Sequence, residues 1–210
     1  MNFARPSLSS TLLLLPFLLL LFQACDEAPT VIVDRDTFQV PDNAVTVNVS
    51  EYELGDLPGS ELTSARRLNA DGKVVETGYL HKNMKTGTWV TYDATGEMPV
   101  KIITYDAQGR QDGPYLDIDS RGRVGLMANY RQNKLHGKWG KYKLERPETI
   151  AHYNNGELDG QYLEYDYRNG NLKKEVNFKN GKQDGIMRYY NEDGSIQMEY
   201  NYRNGELIKE

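Results

Sequence analysis

The chain has 210 residues, a formal net charge of −5 and a single cysteine. A lone cysteine excludes an internal disulfide bond. The mild acidity opposes nonspecific binding to nucleic acid, which is also negatively charged. We therefore expect no nucleic-acid partner.

The first 24 residues have the pattern of an export signal. Arg5 is their only charged residue, and the apolar run Leu12–Phe22 is interrupted only by Pro16. A helix that spans a bilayer needs about 20 apolar residues. The shorter run therefore predicts a cleaved signal peptide over residues 1–24, and an uncleaved anchor is the alternative. Cleavage would remove the charge of Arg5 and change the net charge from −5 to −6.

Cys25 follows this segment directly. A lone cysteine in an exported chain is either a free thiol or a modified one. The sequence Phe22-Gln23-Ala24-Cys25 resembles the looser lipoboxes of bacterial lipoproteins in Bacteroidota. The resemblance implies cleavage before Cys25, a diacylated sulfur and an acylated amine. Three acyl chains would anchor the protein stably, so membrane lipid is an expected partner.

The residues after Cys25 bear on its location. Acidic residues such as Asp26 and Glu27 resemble surface-export signals of Bacteroidota lipoproteins, whereas Asp26 alone also resembles inner-membrane retention in enterobacteria. We expect a lipid-anchored protein of the cell envelope, with the outer membrane favoured over the inner membrane and exposure at the cell surface left open. Residues 25–50 are predicted to be the lipidated N-terminus and a tether, with one or two strand pairings onto the first repeat.

A glycine then recurs at intervals of 26, 24, 23 and 25 residues, at Gly87, Gly113, Gly137, Gly160 and Gly185. Each follows a polar turn and opens a strand with an aromatic residue or Met two positions on, namely Trp89, Tyr115, Trp139, Tyr162 and Met187. A fixed period of this size is typical of repeat proteins. Such proteins usually present surfaces rather than enclose catalytic pockets.

A second turn follows each glycine by nine or ten residues, and an alternating strand comes after it. These turns are Thr95-Gly96, Arg121-Gly122, Asn169-Gly170 and Asp193-Gly194. In one copy Arg146-Pro147 stands there instead, which predicts another turn type because proline cannot take positive φ. Residues 51–210 are therefore predicted to be an all-β domain of five to six stacked antiparallel hairpins, since one hairpin is unstable alone.

Two finer predictions concern local structure. The fourth position after each glycine is usually polar, which predicts a solvent-facing side of the strand there. The four residues are Thr91, Asp117, Lys141 and Glu164. Glu61–Leu68 comes nearest to a helical turn in a chain that otherwise has no helical periodicity.

The repeated pattern Tyr-x-Asn-Gly-(Lys/Glu)-x-x-Gly-x-(Trp/Tyr) resembles the variant MORN repeats of bacteria. The match covers residues 52–210 and is strongest at Tyr153–Tyr162 and Phe178–Met187. The resemblance implies hairpins stacked into an elongated, twisted single sheet that binds proteins or membranes. Proteins with these repeats are often labelled antitoxins, so an antitoxin or immunity-type protein that neutralises a toxin is an alternative function.

Candidate chemical sites are few. His81, His136 and His152 lie in different copies, although metal sites need clustered ligands. Asp112, Asp159 and Asp184 precede three of the repeat glycines and could form a row for calcium, but turn hydrogen bonding is the favoured interpretation. We expect no catalytic residues, metal or cofactor. A glycan-handling enzyme with paired carboxylates is the least favoured alternative.

One segment has the composition of a binding surface. Between residues 131 and 146 there are six basic residues against one acid, with aromatic residues among them. The candidate partner-binding residues are Arg131, Lys134, Lys138, Trp139, Lys141, Tyr142, Lys143 and Arg146. Such a patch suits an anionic lipid, a polysaccharide or an acidic protein; a solvated hairpin with a chance excess of charge is the alternative. The favoured function is a membrane-anchored, non-enzymatic interaction or scaffold module of the bacterial cell envelope.

Overall fold

The computed structural model describes residues 44–209, in which every strand belongs to one antiparallel sheet. Each strand pairs with the next along the chain, except that β8 pairs only with β7, which also pairs with β9. The strands are β1 (Glu53–Asp56), β2 (Thr63–Leu68), β3 (Val74–His81), β4 (Met84–Tyr92), β5 (Pro99–Tyr105), β6 (Gln111–Ile118), β7 (Val124–Arg131), β8 (Lys134–Leu135), β9 (Gly137–Lys143), β10 (Arg146–Asn154), β11 (Glu157–Tyr165), β12 (Leu172–Lys179), β13 (Lys182–Tyr190), β14 (Ile196–Arg203) and β15 (Glu206–Leu207).

The all-β prediction is confirmed, because the described residues hold no α-helix and one short 3₁₀ turn, Val49–Glu51. The helical interpretation of Glu61–Leu68 is wrong. Thr63–Leu68 is strand β2, in which Ala65 is buried against the sheet while its neighbour Arg66 is exposed and pairs with Glu53 of β1 at 2.8 Å. The segment pairs in register with β1 on one side and β3 on the other, which is the pattern of a strand.

The core lies on one face of the sheet, which we call the core face. Its central row alternates large and small side chains, because cross-strand neighbours share a face and must fit together. The aromatic or Met residue two positions after each repeat glycine is at most 8 % exposed. The row runs Gly78, Trp89, Ile103, Tyr115, Ala128, Trp139, Ala151, Tyr162, Val176 and Met187.

A second buried row lies beside the first, toward the turns that precede the repeat glycines. It holds one large side chain from the second strand of every hairpin except β9–β10, whose Tyr153 is half-buried, and Gln111, Leu158 and Gln183 pack beside it. The large side chains are Leu80, Tyr105, Tyr130, Phe178 and Tyr202. The rings of Tyr115 and Tyr130, one from each row, meet edge to face with centroids 6.0 Å apart. The two rows together form a continuous core across neighbouring repeats.

The prediction of a solvent-facing side at the fourth position is wrong. Because side chains alternate, the fourth position shares the core face with the second, and all four polar residues there are half-buried. Charges of opposite sign pair across strands in this row: Lys101 with Asp117 at 3.7 Å, and Lys174 with Glu164 at 3.6 Å. The charges of Asp117 and Glu164 are thus partly compensated by ion pairs with lysines on neighbouring strands.

The repeat glycines lie within or at the start of β4, β6, β9, β11 and β13, so most of these strands begin two or three residues earlier than expected. All five have positive φ, from 64° to 116°. At Gly113 the register with β5 shifts, and a Cβ there would lie 3.3 Å from Thr104. A positive-φ bulge of this kind favours glycine and increases the local twist.

The copy with Arg146-Pro147 turns at the two preceding residues. Leu144 and Glu145 both have positive φ, 51° and 65°, and close a two-residue hairpin between β9 and β10. The other four second turns place a glycine at positive φ. The prediction of a different turn type is therefore confirmed, with the turn two residues earlier than the proline suggested.

Residues 44–52 cross the core face near the first hairpins. The Val45 N–H donates to the Gly109 carbonyl at 2.8 Å, and the Val45 carbonyl accepts from Lys85 N–H at 3.0 Å. Val47 and Tyr52 pack on the cluster that contains Trp89. The predicted pairing of the tether with the first repeat is thus present, through one isolated bridge between Thr46 and Met84. The export signal and Cys25 lie outside the described residues, and the domain boundaries stay predictions.

Candidate interaction surface

The basic segment between residues 131 and 146 forms the end of β7, the short β8, all of β9 and the start of β10. Strand β9 runs from one set of turns to the other, so the eight candidate residues are divided between the two ends of the sheet. The register places Trp139 and Lys141 on the core face, whereas Lys138 and Tyr142 lie on the opposite face, the back face.

Three of the candidates, on the core face or at the far end of the hairpin, are buried or have a partner within the protein. Trp139 is only 8 % exposed and belongs to the central row, so it is not available as a contact residue. Lys141 forms an ion pair with Glu148 at 3.2 Å. Lys143 lies over the ring of Tyr167, with its Nζ 4.1 Å from the ring centroid.

Two further candidates have structural partners in the neighbouring repeat or strand. Arg146 Nη1 donates to the backbone carbonyl of Arg168, which ties the start of β10 to the next repeat. The Tyr142 ring closes the space above Gly140, where a Cβ would lie 2.9 Å from the ring and 3.0 Å from Ile150. These contacts explain the two residues without a ligand.

The remaining three candidates, Arg131, Lys134 and Lys138, form what we call the basic cluster. All three are exposed. Arg131 is directly opposite Lys134 in the register, and Lys138 follows on β9 next to Asn129, whose Nδ2 donates to the Lys138 carbonyl at 3.4 Å. Because side chains alternate along a strand, all three lie on the back face, beside the turn at residues 132–133.

The charge of the basic cluster is less compensated than that of the equivalent turn in a later repeat. Lys179 and Lys182 also face each other there. The turns stack, so that Gly156 lies beside Lys134, Gly181 beside Glu157 and Gly205 beside Lys182. Lys182 therefore has Glu157 and Glu206 on its two sides, whereas Lys134 has Glu157 on one side only. Like charges in direct cross-strand contact destabilise a sheet. Stability therefore does not explain the basic cluster.

The aspartate row serves the turns. Each aspartate accepts from the first backbone N–H of the following turn: Asp112 from Gln132 at 3.3 Å, Asp159 from Asn180 at 3.4 Å, and Asp184 from Asn204 at 3.1 Å. Asp159 and Asp184 are one repeat apart, Asp112 and Asp159 are two repeats apart, and each carboxylate satisfies a separate turn. Within residues 44–209 no group of three or more His, Cys, Asp or Glu side chains is placed to hold a metal ion.

The histidines are likewise separate. His81 of β3 lies 3.3 Å from Glu61, His136 precedes β9, and His152 is exposed on β10. The backbone N–H of His136 donates to the Asn129 carbonyl at 2.9 Å, so this residue takes part in the bulge that starts β9.

The acids that line an open recess between β10, β11 and β12 have basic partners. Besides the pairs of Glu148 and Glu164 with lysines, Asp166 bonds Arg168 at 2.7 Å. The hydrogen bond from the Arg168 side chain, aided by its backbone N–H, holds the pKa of Asp166 at about 2. A carboxylate with so low a pKa is ionised at neutral pH and cannot act as a general acid.

A buried charge network was not predicted from the sequence. Glu76 is 9 % exposed and accepts from Tyr52 Oη at 2.7 Å, Arg67 Nε at 3.3 Å and Lys85 Nζ at 2.5 Å. Burial alone raises the pKa of Glu76, but the hydrogen bonds from Lys85 and Tyr52 outweigh it and the net shift is downward. Lys85 also lies 4.1 Å from the centroid of Trp89. The network fixes Tyr52, at the end of residues 44–52, to the sheet.

The sequence profile of the MORN repeat variant matches residues 158–180 and 183–204. These segments cover all but the first residue of the hairpins β11–β12 and β13–β14, which hold the two most regular copies of the repeat, those of Gly160 and Gly185. Residues 158–204 therefore carry MORN-variant repeats, and the all-β sheet around them has the architecture of a repeat-based interaction module. Comparison with curated proteins gives no match. No helix within residues 44–209 is long and apolar enough to cross a membrane.

Proposed function

We propose that this protein is a membrane-anchored, non-enzymatic interaction module of the bacterial cell envelope. The observation that supports the interaction role is the MORN-variant repeat sheet, in which Asp112, Asp159 and Asp184 each accept a hydrogen bond from a separate turn. The anchoring role rests on the apolar run Leu12–Phe22 followed by Cys25.

The exposed basic cluster is the surface on which this proposal places the partner. Arg131, Lys134 and Lys138 give three exposed positive charges on one face of a protein whose net charge is −5. A local positive patch attracts an acidic partner over a Debye length of about 8–10 Å. An acidic envelope protein fits this surface, and a toxin is the partner expected from the alternative antitoxin function.

Capture of partners from envelope extracts tests this role. Reversal of Arg131, Lys134 and Lys138 to Glu is expected to reduce capture, and the loss should resemble that caused by raising the salt concentration. The control reverses Lys173, Lys179 and Lys182, which are also exposed; Lys182 has glutamates in the turns on both sides, whereas Lys134 has one. Equal capture by both variants would contradict a role for the basic cluster, and a captured toxin would favour the antitoxin function.

Membrane attachment is tested separately by detergent partition of the Cys25→Ser variant. Loss of the acyl chains should move the protein to the aqueous phase, because the acylated cysteine supplies the hydrophobic anchor. If the variant stays in the detergent phase as the wild type does, the lipid-anchor part of the proposal is wrong.

A further inference from the structure

We propose that the back face of the sheet binds an acidic, amphipathic segment of the partner protein along a row of apolar side chains beside the basic cluster. This row, which we call the apolar stripe, takes one residue from each of six strands between β4 and β11. Its members are Val90, Ile102, Leu116, Met127, Ile150 and Leu163. The inference rests on the proposed interaction function and specifies the chemistry of the partner.

The register of the strands places all six side chains on one face. Each member is directly opposite the next one, or opposite Gly140 where the row crosses β9. The pairs are Val90 with Ile102, Ile102 with Leu116, Leu116 with Met127, Met127 with Gly140, Gly140 with Ile150, and Ile150 with Leu163. Each member also adjoins, along its own strand, a residue of the central row on the core face. Because side chains alternate, the stripe lies on the back face.

The stripe is continuous across β9, although the row has a glycine there. A Cβ at Gly140 would lie 2.9 Å from the Tyr142 ring and 3.0 Å from Ile150, so the ring fills the place of the missing side chain. The apolar surface therefore extends over seven neighbouring strands. Six strand spacings of about 4.8 Å make it about 29 Å long.

The same row is charged beyond both ends of the stripe. Toward β1 it ends in the ion pair of Arg66 with Glu53 at 2.8 Å, and toward β14 in the ion pair of Arg188 with Glu199 at 2.7 Å. Ion-paired residues thus fill this row in the outer repeats, and the sheet continues there without apolar side chains. The apolar residues of the middle repeats therefore point to a contact outside the sheet.

No strand of residues 44–209 forms a second layer over the stripe. Every strand belongs to the one sheet, and residues 44–52 pack on the core face. Ile150 is buried among its neighbours, and the other five members are half-buried. Such recessed side chains do not protrude as a membrane-inserting surface does, which enters a bilayer by about 5–10 Å. They can instead receive the protruding apolar side chains of a protein segment.

The basic cluster determines the charge of that segment. Lys138 is two residues before Gly140 on β9, and Arg131 is four residues after Met127 on β7. At about 3.3 Å per residue, the positive charges therefore begin about 7 Å from the row, beside the middle of the stripe. A segment with apolar side chains on the stripe and carboxylates toward the turn at residues 132–133 is complementary to both features. A basic segment would be repelled.

Photo-cross-linking of the full chain in native membranes tests the occupant. We expect Met127→p-benzoylphenylalanine to cross-link to a partner segment that is apolar and net acidic, as identified by mass spectrometry of the adduct. The same group at Glu53, in the same row outside the stripe, is the matched control and should give at least about tenfold less of that adduct. An adduct with lipid, with this chain itself or with a basic segment would overturn the proposal, as would the absence of any adduct at Met127.

Polar substitution distinguishes this inference from the proposed function. The double variant Ile102→Thr, Leu116→Thr should capture the cross-linked partner at least about tenfold less than wild type, because it removes apolar contact area from the middle of the stripe. Leu54→Thr, Ile196→Thr changes two more exposed apolar residues outside the stripe and should leave capture unchanged. Circular dichroism should show that both variants keep their strands.

The two possible failures have different results. If reversal of the basic cluster abolishes capture while the double variant of the stripe captures fully, the stripe is refuted and the proposed function stands. If the wild type captures no partner, the proposed function is refuted together with the stripe.

Discussion

Gly78 is the point at which the large-and-small alternation of the central row can be tested most sharply. A Cβ at this position would lie 2.3 Å from Cδ2 of Trp89, well inside any real carbon–carbon contact. Gly78 does not have positive φ, so the effect of an alanine there would come from packing and not from backbone strain. Gly78→Ala therefore reports directly on the contact between β3 and β4.

The Trp89 ring has little freedom to move away. It is 2 % exposed, its Nε1 donates to the Tyr79 carbonyl at 3.0 Å, and the Tyr52 ring contacts it edge to face at 5.8 Å. Overpacking of a core usually costs about 1–3 kcal/mol. We expect Gly78→Ala to reach the upper part of that range, about 2–3 kcal/mol, because displacement of the ring would also break its hydrogen bond.

Gly125 of β7 is the matched control. It is also a strand glycine without positive φ, and an added Cβ would meet only the Asp117 carbonyl oxygen at 3.9 Å. Gly125→Ala should be neutral or stabilise the chain by up to about 1 kcal/mol, through the unfolded state. Urea unfolding followed by tryptophan fluorescence measures both variants. If the two variants unfold at the same urea concentration, the close packing of Trp89 on β3 is wrong.

Three further predictions follow from the buried network, the turns and the core. The pKa of Glu76 is lowered in the fold, so the stabilisation it gives should be complete above its ordinary pKa of 4.5 and be lost as the pH falls toward the folded value. Thermal melts between about pH 3 and 6 should therefore show a steeper acid loss for wild type than for Glu76→Gln, and parallel curves would contradict this. Asp184→Ala should lower the free energy of unfolding by about 0.5–1.5 kcal/mol, because the turn loses a hydrogen bond. A chelator should leave the melting temperature of the wild type unchanged. A large drop with the chelator would restore the calcium interpretation. Val176 is 1 % exposed and Val124 is 37 % exposed. In chemical denaturation, Val176→Ala should therefore cost about 2 kcal/mol and Val124→Ala less than about 0.5 kcal/mol. Equal losses would show that the core face is misassigned.

The repeat period and the hairpins could be predicted because the sequence marks both ends of most strands. Asparagine, aspartate and glycine occur at the turns, and residues such as Leu126, Ala128 and Tyr130 alternate between them. The period of two then assigns these side chains to one face without knowledge of the neighbours.

The position of the repeat glycines and the identity of the core face could not be predicted in the same way. A glycine at Gly113 suits both the start of a strand and a bulge inside one, and only the register with β5 distinguishes them. Asp117 suggested a solvent-facing side because its partner Lys101 lies on the preceding strand, where the sequence does not show the pairing. Cross-strand compensation of charge is a tertiary effect.

The candidate site was predicted in composition but not in geometry. The sequence placed eight residues in one basic hairpin, and the structure leaves Arg131, Lys134 and Lys138 together on the back face. Trp139 could have been excluded from the surface by its place in the aromatic column of the repeat, which contains the most buried residues. The contact of Lys143 with Tyr167, by contrast, joins different hairpins and has no local sequence signal.

Mass spectrometry of the mature N-terminus in the native membrane tests the proposed anchoring most directly. We expect a chain that begins at Cys25, with a diacylglyceryl group on the sulfur and an acyl group on the new amine. A chain that still begins at Met1, or one that keeps Cys25 as an unmodified thiol, would contradict the proposal that this repeat sheet is held at the membrane by lipid.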